Sequence, residues 1–322
     1  MTSKASILRA CYVVALVCSA SLFVTSGSAA TGRSLGNPLV SEDSDTGANR
    51  ERILFLRGGF SRDPVLWKMA SDGTRRRQIS KRPVLGSCPA ASPNGRWILF
   101  TGEDGEEAGV DVMKMRPDGS RIRTVAGEHG DKAVGDWSPG GRRVVYSAFA
   151  GRYLTVVRAN GRSSRRLPGM EGYNYGASWS PDGARLVFHH AEENRPSTFD
   201  IYTTTVRGGK IKQLTHTLKR GLDSFGPEWS PNGRLIAYSG NRDGDSEIFV
   251  MRADGSHKRQ VTHNTVSDGG PSWSPDGRTI VFTRTFRNDN SDIFTVNVNG
   301  ENERRVLRTP YVEYCPDWFT IP

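Results

Sequence analysis

Residues 230–277 read SPNGRLIAYSGNRDGDSEIFVMRADGSHKRQVTHNTVSDGGPSWSPDG, and this stretch holds every part of one repeating unit. It opens on the turn Ser230-Pro231-Asn232-Gly233 and runs into the apolar segment Leu235-Ile236-Ala237-Tyr238. A polar loop leads to Glu247-Ile248-Phe249-Val250-Met251, whose residues suit a half-buried strand. Asp254-Gly255 follows, a dipeptide that favours the φ > 0 turns of two-residue hairpins, and then Gln260-Val261-Thr262. Trp273-Ser274 starts the next copy. Four short strands in about 45 residues is the pattern of one propeller blade.

The pattern extends along the chain. Ser-Pro-x-Gly recurs at Ser92, Ser138, Ser180, Ser230 and Ser274, preceded by Ala91, Trp137, Trp179, Trp229 and Trp273. Trp318 in Cys315-Pro316-Asp317-Trp318 is a truncated sixth copy, and the six positions are spaced 46, 42, 50, 44 and 45 residues apart. Turn dipeptides run in phase at Asp72-Gly73, Asp118-Gly119, Asn160-Gly161, Gly208-Gly209, Asp254-Gly255 and Asn299-Gly300. This double periodicity predicts an all-β, six-bladed β-propeller with four-stranded antiparallel blades over residues 51–322.

Trp-Ser-Pro-Asp-Gly, an Ile-Phe or Ile-Tyr type strand and Met-x-x-Asp-Gly resemble the WD40-like (PD40) repeat of TolB-like propellers, over nearly all of residues 51–322. The Gly-His element and regular Trp-Asp ending of true WD40 repeats are missing. The chain departs from bacterial TolB in having no stretch to match its separate N-terminal α/β domain, so the resemblance implies the propeller and does not by itself imply TolB's role in envelope division machinery. Peptidases with such propellers carry a separate hydrolase domain, for which the sequence leaves no residues.

The chain begins and ends out of phase. Arg52-Ile53-Leu54-Phe55-Leu56 matches a second strand, whereas the segment around Trp318 matches a first strand. The C-terminal strand is therefore expected to complete the N-terminal blade, closing the ring and removing exposed sheet edges. Cys88 and Cys315 each lie three residues before their repeat's Trp position, on neighbouring blades by this argument. In an exported protein they are expected to form a disulfide, the alternative being two buried thiols too far apart to join.

Export is the expectation from residues 1–30. Lys4 and Arg9 precede an apolar run from Ala10 to Val24, and Ser28-Ala29-Ala30 offers a signal-peptidase site after Ala30. The run is short for a membrane span and contains Cys18, Ser19 and Ser21, so the mature chain is expected to have no transmembrane segment and to be secreted or periplasmic. Residues 31–50 are polar and read as a flexible linker. Loss of Lys4 and Arg9 takes the net charge from +10 to +8, which favours anionic partners. Arg75-Arg76-Arg77, Arg165-Arg166 and Arg304-Arg305 sit at equivalent places after the turn dipeptides. No aromatic interleaving or nucleic-acid motif accompanies them, so nucleic acid is not the expected partner.

Candidate ligand residues recur at the channel mouth. Asp131, Asp223, Asp268 and Glu313 lie five or six residues before Trp137, Trp229, Trp273 and Trp318, with Leu85, Tyr173 and Tyr175 breaking the set. They read either as a ring that holds a cation or basic peptide group, or as turn caps bonding nearby N–H groups, the stronger reading. His216 and His263 share a repeat position, as a metal pair or, more simply, as bonds to adjacent loops. His189 and His190 point to opposite faces of a strand and do not chelate together. The loops 241–247 and 288–292 carry oxygen ligands at alternate positions, as calcium would need, but lack EF-hand spacing and read as solvated turns. No cofactor is expected.

Gly-x-Ser-x-Gly, His-Glu-x-x-His and phosphate-loop motifs are absent. The sequence therefore favours a monomeric, extracytoplasmic binding or scaffold propeller for a peptide, protein or glycan of the cell envelope. The alternative is a secreted polysaccharide lyase or hydrolase acting on an acidic polymer through the channel.

Overall fold

The structure is a computed structural model that describes residues 50–322 apart from 59–63, 86, 104–108, 128–129, 149–150, 170, 197, 218–221 and 242–243. The expected signal peptide, the linker up to residue 49, and Arg242 and Asp243 of one acidic loop lie outside the described residues. No helix among the described residues is long and apolar enough to cross a membrane.

Six four-stranded antiparallel sheets form the blades. Blade 1 orders β24 (Glu313–Thr320), β1 (Glu51–Arg57), β2 (Val65–Ala70) and β3 (Arg77–Gln78). Blade 2 holds β4 (Ala90–Ala91), β5 (Ile98–Gly102), β6 (Asp111–Met115) and β7 (Arg123–Ala126); blade 3 holds β8 (Lys132–Trp137), β9 (Arg143–Ala148), β10 (Tyr153–Arg158) and β11 (Arg165–Arg166). Blade 4 holds β12 (Tyr173–Trp179), β13 (Arg185–Ala191), β14 (Asp200–Thr205) and β15 (Lys212–Gln213). Blade 5 holds β16 (Ser224–Trp229), β17 (Leu235–Asn241), β18 (Ser246–Arg252) and β19 (Arg259–Gln260); blade 6 holds β20 (Ser267–Trp273), β21 (Thr279–Thr285), β22 (Ser291–Asn297) and β23 (Arg304–Leu307).

First strands of successive blades pack on one another around the whole circle, including β20 on β24 and β24 on β4. The ring closes as expected: β24 pairs with β1, with Ile53 opposite Trp318 and Leu54 opposite Asp317. Cys88 and Cys315 are joined by a disulfide, their Cα atoms 5.0 Å apart, so the seam between blades 1 and 2 is also held covalently.

Side-chain alternation explains how blades adhere. Leu54 and Leu56 pack with Ile98 and Phe100 of blade 2, while Ile53 and Phe55 pack with Val281 and Ile293 of blade 6. A strand buried on both faces thus serves two interfaces, which is why the second strands read as unbroken apolar runs. An apolar cluster of this kind fills every blade junction. The repeat Trp belongs to these clusters, and Trp137 and Trp273 also donate Nε1–H to the preceding blade at Ala90 O (3.1 Å) and Glu228 O (3.2 Å).

The Ser-Pro-x-Gly signature is a self-bonded turn. In Ser180-Pro181-Asp182-Gly183 the Ser180 Oγ accepts Arg185 N–H at 2.9 Å, and Asp182 Oδ1 accepts Ser180 Oγ–H (2.5 Å) and Ala184 N–H (3.0 Å). The third–fourth strand turns dock on the previous blade. Gly73 sits at φ +87°, and a Cβ there would stand 2.2 Å from Val306 O of blade 6. Gly73→Ala combines left-handed backbone cost with that clash, so it is expected to destabilise the ring by at least about 2 kcal/mol. Urea unfolding followed by tryptophan fluorescence measures it; a loss below half that value would refute the docking role.

Candidate functional site

Because strands alternate in direction, the loops joining second to third strands open on the same face as the connections from one blade to the next. The four predicted carboxylates all lie at this face, but each has partners. Asp131 Oδ1 accepts Val110 N–H at 3.2 Å, and Asp223 Oδ1 accepts Phe199 N–H at 2.8 Å. Both bonds fix the residue that precedes a third strand in the blade before. Asp268 and Glu313 instead face a cross-strand arginine. Asp268 forms a two-pronged ion pair with Arg284 (2.7 and 2.8 Å), which also pairs with Glu303 (2.6 Å). Glu313 binds Arg57 Nε at 3.0 Å and accepts the hydroxyl of Thr309. Arg57 lies 4.0 Å over the Trp67 ring. Burial pushes the Asp223, Asp268 and Glu313 carboxyls above their ordinary range, against the pull of these partners.

His216 and His263 are exposed on this face, at equivalent places after the fourth strand. His189 and His190 diverge as expected. His189 is buried edge-on to Phe199, its Nδ1 accepts Gly226 N–H at 3.3 Å, and burial pulls its pKa down to about 3. His190 Nδ1 instead meets Asn174 Oδ1 at 2.9 Å. Among the described residues, no three His, Cys, Asp or Glu side chains converge as a metal-ligand set.

Two neighbouring hollows open on the same face. The first, about 350 Å³, is lined by Asp245, Glu247, Gln260, His263 and Asn264 of blade 5 and its exit. Glu247 accepts Thr262 Oγ1–H (2.5 Å) and Asn264 N–H (2.6 Å), and burial raises its pKa to about 7. The second, about 670 Å³, lies on blade 6 and its exit, lined by Phe286, Asn288, Asn290, Arg305, Arg308 and Thr309. One hollow is thus acidic and the next basic. Asp200, Glu247 and Asp292 sit at the start of equivalent third strands, where each bonds the fourth strand or the segment leaving it: Asp200 to Thr215 and Thr217, Asp292 to Arg305 and Thr309.

A further set lines the channel itself, at the residue before each Trp position: Ala90, Asp136, Ser178, Glu228, Ser272 and Asp317. Carboxylates therefore alternate with small residues around the ring. Each polar member accepts the Trp-position N–H of the next blade. Asp136 takes Trp179 N–H (3.0 Å), Ser178 takes Trp229 (3.5 Å), Glu228 takes Trp273 (3.4 Å), Ser272 takes Trp318 (3.1 Å) and Asp317 takes Ala91 (2.7 Å). Burial, then mutual repulsion, raises Glu228 well above its ordinary value. Burial is also the main cause that lifts Asp136 to about 6 and Asp317 to about 7.

Residues 44–224 and 219–319 match the family described as the TolB beta propeller domain. Over 74 residues the chain is 35% identical to the uncharacterized protein Atu1656 of Agrobacterium fabrum, covering 23% of this chain and 24% of that protein. Over 72 residues it is 33% identical to the uncharacterized peptidase YuxL of Bacillus subtilis, covering 22% of this chain and 10% of that protein. The matches thus span about a quarter and a tenth of these curated relatives. Among solved structures, TolB from Acinetobacter baumannii superposes with a TM-score of 0.71 at 18% identity, over 84% of this chain and 67% of that one. The putative TolB from Agrobacterium tumefaciens gives 0.62 at 21% identity, over 86% and 100%. A chain of the nidogen/laminin complex gives 0.59 at 11% identity, over 83% and 98%. At these identities the likeness is one of fold.

Proposed function

The chain belongs to the TolB β-propeller family, and on that premise we propose that it is a non-catalytic binding propeller that works outside the cytoplasm. Its ligand is a peptide or protein segment of mixed charge, recognised on the face that carries Asp131, Asp223, Asp268, Glu313, His216 and His263. The observation that carries this reading is the pair of adjacent hollows of opposite charge, one around Glu247 and His263, the other around Arg305 and Arg308. A chain segment with a basic and an acidic side chain a few residues apart would satisfy both, and electrostatic complementarity sets its register. The bonds from Glu247 to Thr262 and Asn264, and from Asp292 to Thr309, hold residues of the two hollows fixed before the ligand arrives, which lowers the cost of binding. The disulfide supports an oxidising compartment, and the N-terminal sequence supports export.

Thermal shift against a panel of mixed-charge peptides, envelope proteins, and neutral and acidic glycans tests the proposal. Mixed-charge peptides are expected to stabilise the protein. Glu247→Gln and Arg308→Glu are each expected to weaken binding about tenfold, a loss of roughly 1.4 kcal/mol. A basic ligand group prefers ionised Glu247, so affinity is expected to rise from pH 6 to 8, through the pKa near 7. Stabilisation by glycans alone, binding indifferent to both variants, or release of unsaturated products from uronate polymers would overturn the reading.

A further inference from the structure

We propose that the outer edge of blades 2–4 is a second docking surface, shaped for an anionic lipid bilayer. The fourth strands there, and the turns leading into them, carry Arg121-Ile122-Arg123 on blade 2, Arg165-Arg166 on blade 3 and Lys210-Ile211-Lys212 on blade 4. Ile122 is 56% exposed and Ile211 41%; with Tyr311 they make up the exposed large hydrophobics among the described residues. Each isoleucine is thus held in solvent between two exposed cations.

Cations alone are explained by edge protection, since charged outer strands discourage pairing with another chain. Exposed isoleucines at the entry to two of these strands, Ile122 before β7 and Ile211 before β15, work against that purpose. Cations flanking an exposed aliphatic side chain fit a membrane interface instead, where headgroup charge attracts the first and the acyl boundary accepts the second. A soluble polyanion would use the cations and gain nothing from the isoleucines.

The three edges form one strip. Gly161 in the blade 3 turn abuts β7, its Cβ position 3.2 Å from Val125 O. The Arg165 guanidinium donates to Val206 O (2.6 Å) and Arg207 O (3.1 Å) of blade 4. Ile211 Cδ1 lies 3.6 Å from the Cβ position of Gly169, beyond β11. Positive charge is concentrated here: Lys114 has a lowered pKa, through burial first and then repulsion from Arg123 and Arg116. Asp118, in the preceding turn, bonds back to Ser120 N–H at 2.8 Å. All third–fourth turns open on the face opposite the two hollows, so a surface that meets these turns leaves the hollows free.

The chain from residue 31 onward retains all six closed blades and omits the apolar N-terminal run. It is sedimented with vesicles of phosphatidylcholine alone and of phosphatidylcholine mixed with phosphatidylglycerol, and titrated separately with a soluble polyuronate. Salt-sensitive binding to the vesicles that contain phosphatidylglycerol, and none to those of phosphatidylcholine alone, is expected. Ile122→Ser with Ile211→Ser is expected to weaken vesicle binding about tenfold or more while leaving polyuronate binding unchanged. Arg123→Glu with Lys212→Glu is expected to abolish vesicle binding. Unchanged vesicle binding in either double variant, or a parent protein that binds polyuronate but not anionic vesicles, would overturn the proposal.

Discussion

Replacing Cys88 and Cys315 together by alanine is expected to cost about 5 kcal/mol of stability and to lower Tm by about 10 °C. The bridge joins residues 227 apart in sequence, and the chain-entropy cost of leaving so long a loop open falls on the unfolded state. The folded ring should change little. Cys315 already lies in β24 beside Tyr314 and Phe319, both buried in the cluster that joins blades 1 and 2. Guanidinium unfolding and calorimetry of the double variant measure the loss, and circular dichroism at low denaturant should be that of the parent. A loss below about 1 kcal/mol would mean that the strand pairing of β24 with β1 closes the ring unaided.

Asp317→Asn is expected to stabilise the protein by about 2–4 kcal/mol at pH 8 and to change nothing near pH 4. Asp317 has a folded pKa of about 7 against an ordinary 3.8, chiefly from burial. The folded state therefore holds a proton that the unfolded state has released between about pH 4 and 7. Stability from this group is fully present below pH 4, falls as pH rises, and is lowest above pH 7. Asparagine keeps an acceptor for Ala91 N–H, which Asp317 Oδ2 now takes at 2.7 Å, and never ionises. The side chain keeps some accessible surface toward the channel, so channel water offsets part of the burial cost and sets the lower figure. Unfolding of parent and variant across pH 4–8 should give curves that meet at acid pH and diverge above it. Parallel curves would refute the assignment of Asp317 as a strained carboxyl.

The blades were legible because each repeat bonds to itself. Ser, Asp and Gly of the Ser-Pro-x-Gly turn are required by hydrogen bonds within five residues, so the motif survives as sequence. Blade 2 departs where Ala91 replaces Trp, and its first strand shrinks to Ala90–Ala91. The closure of blade 1 was legible from phase alone, and the cysteine pair from equivalent positions. The site was harder to read. Spacing found Asp268 and Glu313, but not that Arg284 and Arg57 would face them, because those contacts depend on register across a bulged strand pair. Asp136, Glu228 and Asp317 were visible as acidic residues before each second Trp. Serine and alanine at the intervening blades hid the period, and their bonds reach the next blade rather than their own. The two hollows are built from loops and strand ends of different turns, a juxtaposition that no local pattern encodes.

The most direct test of the recognition face is amide hydrogen exchange on the protein with and without a mixed-charge peptide selected for binding. Protection is expected in the exits of blades 5 and 6, residues 260–268 and 305–313, and in the 286–292 loop. Protection confined to the Ser-Pro-x-Gly turns or to the outer strands of blades 2–4, with those three segments unchanged, would contradict it.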